Sequence, residues 1–151
     1  MRSTATTPLH VLLVEQDEAI RELFSSLLGA RGYVVSAARG AIEALRIVGS
    51  ASPDAIFSSL VFDDMDGFEL CRHLRAMPGS ATSLIVALTG YSEPGIQARA
   101  AQAGFDFYLL KPVSVHNVLA LLRSFEQRKG AAGSGRRLEV SARSFSGFAG
   151  V

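Results

Sequence analysis

The chain has 151 residues, 48% of them apolar and 19% charged, enough for one domain with a sizeable core. Its net charge of +1 argues neither for nor against nucleic acid, and no stretch approaches the roughly 18 apolar residues of a membrane-spanning helix. A single cysteine, Cys71, excludes an internal disulfide and fits a reducing compartment.

The opening residues, Met1 to Pro8, hold no apolar run long enough for a signal peptide, so a cytoplasmic protein is expected. "LHVLLV" (Leu9–Val14) reads as a strand buried on both faces. Ile20, Leu23, Phe24, Leu27 and Leu28 then follow helix spacing, with Gly29 and Gly32 as the stop. "YVVSA" (Tyr33–Ala37) is a second strand. Ile42, Leu45 and Val48 mark a second helix, closed by Gly49 and Pro53. "AIFS" (Ala55–Ser58) is the third strand, followed by a helix lined by Phe68, Cys71 and Leu74. "SLIVAL" (Ser83–Leu88) is the fourth strand, and an alanine-rich helix covers Pro94 to Ala103. "DFYLL" (Asp106–Leu110) is the fifth. The last helix sets Val115, Val118, Leu119, Leu122 and Phe125 on one face, with Leu121 off that stripe.

Strict β/α alternation implies an α/β fold, a doubly wound parallel sheet with helices on both faces. With five strands the flavodoxin-like order 2-1-3-4-5 is expected. The domain is expected over residues 8–128. Residues 129–151 are rich in Gly, Ser and Ala, carry four of the 15 basic residues and one of the 14 acidic ones, and read as a flexible basic tail. Leu138, Val140 and Ala142 alternate with polar residues, so a short strand there is an alternative.

In such sheets the functional crevice lies beyond the carboxyl ends of the strands, where the strand order reverses. Strand one ends in Glu15-Gln16-Asp17, strand three in Ser58-Ser59, strand four in Thr89-Gly90 and strand five in Lys111-Pro112. Acid, hydroxyl and lysine converge from four strands. A nucleotide or flavin is a poor fit, because the first βα turn is acidic and lacks glycine.

These pieces, "VLLVEQDEAIREL", "GYVVSAARGAIEAL", "PDAIFSSLVFDDMDGFELCRHLR", "IVALTG" and "AGFDFYLLKP", resemble in order and spacing the receiver domains of bacterial response regulators. The resemblance implies a CheY-like fold and a place in two-component or phosphorelay signal transduction. Receivers of this family accept a phosphoryl group from a histidine kinase onto an aspartate at the end of strand three. Magnesium is held by that aspartate, an acidic pair after strand one and a backbone carbonyl. A Thr or Ser after strand four and a Lys after strand five bind the phosphoryl oxygens.

On this sequence the pattern breaks. Ser59 stands at the aspartate position, and Gln16 replaces the second acid of the pair while Glu15 keeps the first. Thr89 and Lys111 remain, Tyr108 matches the aromatic that moves with the Thr, and Val61 offers the carbonyl. A serine hydroxyl needs a base, and no histidine stands at these strand ends. Its phosphate ester would be stable, whereas the family's signal depends on a labile acyl phosphate. With Gln16 and Ser59 neutral, magnesium binding is expected to be weak or absent, and no cofactor is implied. His10, His73 and His116 are scattered and suggest no other metal.

The sequence therefore reads as a stand-alone pseudo-receiver. It is expected to bind a protein partner, a histidine kinase or a downstream effector, and not to be an enzyme, with no nucleic acid and no membrane. The rival reading is a working phosphoacceptor using Ser59 or one of Asp63, Asp64 and Asp66. The more ordinary role of those aspartates is solvated turn chemistry. Asp17 is expected to cap the first helix, Lys111 to pair with Glu15, and Cys71 to lie in the core. The Lys111-Pro112 bond is expected to be cis by resemblance. The family's output surface, formed by the fourth helix, fifth strand and last helix, suggests an apolar patch at Tyr108 and Leu121 for a partner or homodimer.

Overall fold

A computed structural model describes residues 7–90 and 94–132. The strands are β1 (His10–Val14), β2 (Val34–Ala38), β3 (Ala55–Ser59), β4 (Leu84–Thr89) and β5 (Phe107–Leu110). The helices are α1 (Glu18–Ala30), α2 (Ala41–Ser50), α3 (Gly67–Ala76), α4 (Ile96–Ala103) and α5 (Val115–Ala132). All strands are parallel, in the order β2-β1-β3-β4-β5.

Strand periodicity sorts the core into two layers. Leu12, Val14, Ile56, Ile85, Ala87 and Tyr108 point to one face and pack against α2, α3 and α4. Val11, Leu13, Phe57, Val86, Leu88, Phe107 and Leu109 point to the other and pack against α1 and α5. The central strands thus bury both faces, which is why they read as continuous apolar runs.

Several expectations need correction. Leu23 and Leu27 of α1 are 55% and 37% exposed, and the inward side of that helix is Leu28 with Phe24. Ile42 is 58% exposed; α2 meets the sheet through Ala41, Ala44 and Val48, small residues that let it lie close. Gly29 and Gly49 sit inside the last turns of their helices, whose C-caps are Arg31 and Ala51. α4 begins at Ile96, not Pro94, because its N-cap Gly95 has φ +91, a left-handed conformation that glycine adopts without strain. α5 runs four residues past 128, and Lys129 forms an ion pair with Asp54 beside β3. The remainder of the expected tail, residues 133–151 with the 138–142 alternation, lies outside the described residues.

Tyr108 and Leu121 are not surface residues: they are 4% and 1% exposed. Tyr108 lies under α4 in one layer and Leu121 lies in the other, so the sheet itself separates them. A single partner patch cannot contain both.

Side chains far apart in sequence fix the loops around the crevice. Asp17 caps α1, accepting from the Ile20 N–H at 3.0 Å, as expected. Asp66 caps α3 by accepting from Phe68 N–H at 2.6 Å. The N-cap of α2, Gly40, has no capping side chain, and Asp64 supplies one from the loop after β3. Its carboxylate accepts from Ala41 N–H at 3.2 Å and Ile42 N–H at 3.0 Å. The Ile42 bond, with that from Ala41, holds the Asp64 carboxyl below the usual carboxylate range against a partial desolvation.

Asp64→Ala is expected to cost about 1 kcal/mol at neutral pH, the ordinary worth of an N-cap. Because the folded-state pKa is lowered, this contribution is complete above the unfolded carboxyl pKa. It is lost as pH falls through the folded value. Urea unfolding of both proteins should show the gap at pH 7 and its closure in acid. A gap that does not change with pH would contradict the cap.

Candidate functional site

The carboxyl ends of β1, β3 and β5 bring together three side chains that are far apart in sequence. Glu15 follows β1 and is held there by its own N–H, which donates to Ala38 O at 2.9 Å. Ser59 is the last residue of β3, and Lys111 follows β5 with its N–H donating to Thr89 O at 2.7 Å. The Ser59 hydroxyl donates to Glu15 Oε1 at 2.7 Å. Lys111 Nζ donates to the same Oε1 at 3.0 Å and to Ser59 Oγ at 3.2 Å. The second carboxylate oxygen, Oε2, accepts from Asp17 N–H at 2.9 Å. The carboxylate is therefore engaged at both oxygens.

Burial gives these contacts weight. Glu15 and Ser59 are 2% and 4% exposed, while the Lys111 side chain keeps 30% of its surface. A buried carboxylate is costly without an opposite charge and hydrogen bonds, and this one has both. The expected pairing of Lys111 with Glu15 is present. Ser58, next to the acceptor position, turns its hydroxyl to Ser59 O at 2.9 Å.

Gln16 is hydrogen-bonded outside the trio. Its Oε1 accepts from Asp63 N–H at 3.1 Å, tying the loop after β3 to the end of β1. Asp64 ties the same loop to α2 on its other side. Asp63 and Asp64 are exposed, and Asp64 and Asp66 are occupied as caps. None of the three enters the network of Glu15, Ser59 and Lys111. The loop returns to α3 through Gly67, where a Cβ would fall 2.5 Å from Leu60 Cα, so only glycine fits. Thr89 is buried at 2%. Val61 is 61% exposed, and the Lys111-Pro112 bond is cis as expected.

The donor set does not suit the magnesium ion of the resemblance. A hard cation wants carboxylate oxygens with free lone pairs in an octahedron. Here the one carboxylate already accepts three hydrogen bonds, Gln16 is neutral and engaged, and the Lys111 ammonium sits 3.2 Å from Ser59 Oγ. Among the described residues, no three His, Cys, Asp or Glu side chains form a group that could hold a metal.

A separate cleft of about 320 Å³ lies between α3 and α4, lined by Asp66, Phe68, Glu69, Arg72, Arg99 and Gln102. The Arg99 guanidinium covers the Phe68 ring at 4.3 Å. None of the trio at the strand ends lines it.

The family model described as the response regulator receiver domain matches residues 11–123. The chain belongs to this family. The receiver is 34% identical over 121 residues to the response regulator MprA of Mycobacterium tuberculosis, covering 80% of this chain and 51% of that protein. It thus spans about half the length of the curated relatives it matches. Among solved structures, the CheY-like receiver domain from Methylobacillus flagellatus is 31% identical with a TM-score of 0.71, over 79% of this chain and 99% of that one. The chemotaxis response regulator CheY4 of Vibrio cholerae is 28% identical with a TM-score of 0.74, over the same shares. The fold and the membership in two-component signalling rest on these likenesses and on the sheet order. No helix among the described residues is long and apolar enough to cross a membrane.

Sequence reading did not find the staple that braces the far side of the receiver. Arg75 of α3 donates from Nη2 to Asp106 at 2.8 Å, from Nε to Gly104 O at 2.9 Å and from Nη1 to Ser83 O at 2.7 Å. Asp106 in turn accepts from Ile85 N–H at 2.9 Å. Residues 29 and 31 positions apart carry no local signal of this pairing.

Proposed function

We propose that this receiver is a pseudo-receiver. It acts in the cytoplasm by binding a protein partner, a histidine kinase or a downstream effector, and is not an enzyme. It takes no aspartyl phosphate and uses no magnesium. One observation carries this reading: the acceptor position holds Ser59, whose hydroxyl is closed between Glu15 and Lys111 in a buried network. A homodimer through α4, β5 and α5 loses its two apolar anchors, since Tyr108 and Leu121 are core residues.

One contact favours the rival phosphoacceptor. Ser59 Oγ lies 2.7 Å from Glu15 Oε1, the distance at which a general base takes a hydroxyl proton. Against it, that oxygen is already shared with the Lys111 ammonium, and both partners are buried. The two readings separate by mass. After incubation with acetyl phosphate and magnesium, the intact chain should show no added phosphoryl group. An increment that survives hydroxylamine and maps by peptide mass to Ser59 would establish the Ser59 ester. One removed by hydroxylamine would mark an acyl phosphate on a neighbouring aspartate. Either result overturns the proposal.

A further inference from the structure

The pocket keeps the cation that the family uses for phosphoryl oxygens but supplies its own anion. Glu15 Oε1 accepts from Lys111 Nζ at 3.0 Å and from Ser59 Oγ at 2.7 Å, so one oxygen receives donors from the ends of two other strands. The carboxylate follows β1, the ammonium follows β5 and the hydroxyl stands on the last residue of β3. The geometry points to Glu15 as a built-in oxyanion that permanently fills an anion site made by Lys111 and Ser59. This rests on the reading of the receiver as one that takes no phosphoryl group, and adds what takes its place. The consequence is regulatory: a side chain of the receiver itself makes the contact that joins the ends of β1, β3 and β5. A free anion must displace a tethered carboxylate to reach Lys111, against the high effective concentration of an intramolecular group.

An anion site of this kind is recoverable. Glu15→Ala removes one methylene and the carboxylate, which together match acetate. It leaves Lys111 with a partner position open to a small carboxylate, and Lys111 is exposed enough to admit one from solvent. Acetate that binds only the folded variant should raise its melting temperature. At about ten times its Kd, the folding constant rises about elevenfold. Sodium chloride at matched ionic strength is the reference. The wild type should not respond, because Glu15 occupies the site. Glu15→Ala/Lys111→Met should not respond either, because the cation is gone.

Should Glu15→Ala be unfolded in buffer, the same titration reads the return of helical circular dichroism. Rescue of the single variant alone supports the site. No rescue, or an equal response in all three proteins, overturns it. The acetyl phosphate labelling of the wild type is a separate result, so the reading of the pocket can fail while the anion site stands, and the reverse.

Discussion

Leu121→Glu is expected to unfold the domain or to lower its stability by about 4 kcal/mol or more. Leu121 is 1% exposed and packs in the layer formed with Phe57, Val86, Leu88, Leu119 and Leu122. A carboxylate there loses its water and gains no partner, and the apolar contacts of the leucine are lost as well. Leu23→Glu on α1 is the matched control, since Leu23 is 55% exposed. That change should stay within about 0.5 kcal/mol. Thermal and urea unfolding of the two variants should therefore differ widely. A folded Leu121→Glu protein with an unchanged melting temperature would show that this face of α5 is open to solvent.

The contrast between those two leucines marks how far the sequence could be read. Strands declared themselves because β1, β3 and β4 are buried on both faces and need unbroken apolar runs. The fold followed from their alternation with helices. Facing was harder. Leu121 stands three residues after Val118 and four before Phe125, which places it inside the buried stripe of α5, not beside it. Leu23 keeps helix spacing with Ile20 and Leu27, yet it lies on the outer flank of α1, where Leu27 is exposed too. A stripe's width depends on what packs against it, and no spacing within one helix encodes that.

The candidate site divides in the same way. Glu15, Ser59, Thr89 and Lys111 were legible because topology alone sends all four strand ends to one edge. The pairing of Lys111 with Glu15 followed from the cost of burying either alone. Capping of α2 by Asp64 was not legible. The Asp64 side chain serves N–H groups 22 and 23 residues earlier, and its own neighbourhood looks like any acidic turn. Tyr108 is buried although β5 is an edge strand. α4 covers it, and edge position limits backbone pairing, not side-chain burial.

The change with the largest effect on chemistry is to restore the two missing carboxylates. In Gln16→Asp/Ser59→Asp, the pocket would carry Glu15 and two aspartates, with Lys111 able to pair with Asp at position 59 in place of Glu15. Hard oxygen donors would then face the loop after β3, the combination a magnesium ion favours. Gln16 now uses its amide oxygen to hold Asp63 N–H, a bond that a shorter aspartate carboxylate gives up or weakens, freeing it toward a cation. Magnesium at about ten times its Kd would stabilise the folded variant by about 1.4 kcal/mol, a rise of about 5 °C for a domain of this size. The unaltered protein should show no rise beyond that of sodium chloride at the same ionic strength, because Glu15 is engaged at both oxygens, Gln16 and Ser59 are neutral, and the Lys111 ammonium already occupies the pocket. Ser59→Asp alone should fall between the two. Specific stabilisation of the unaltered protein by magnesium would mean that Glu15 releases its hydrogen bonds to coordinate the ion. A double variant indifferent to magnesium would mean that the loss of metal binding extends beyond positions 16 and 59 to the loop geometry itself.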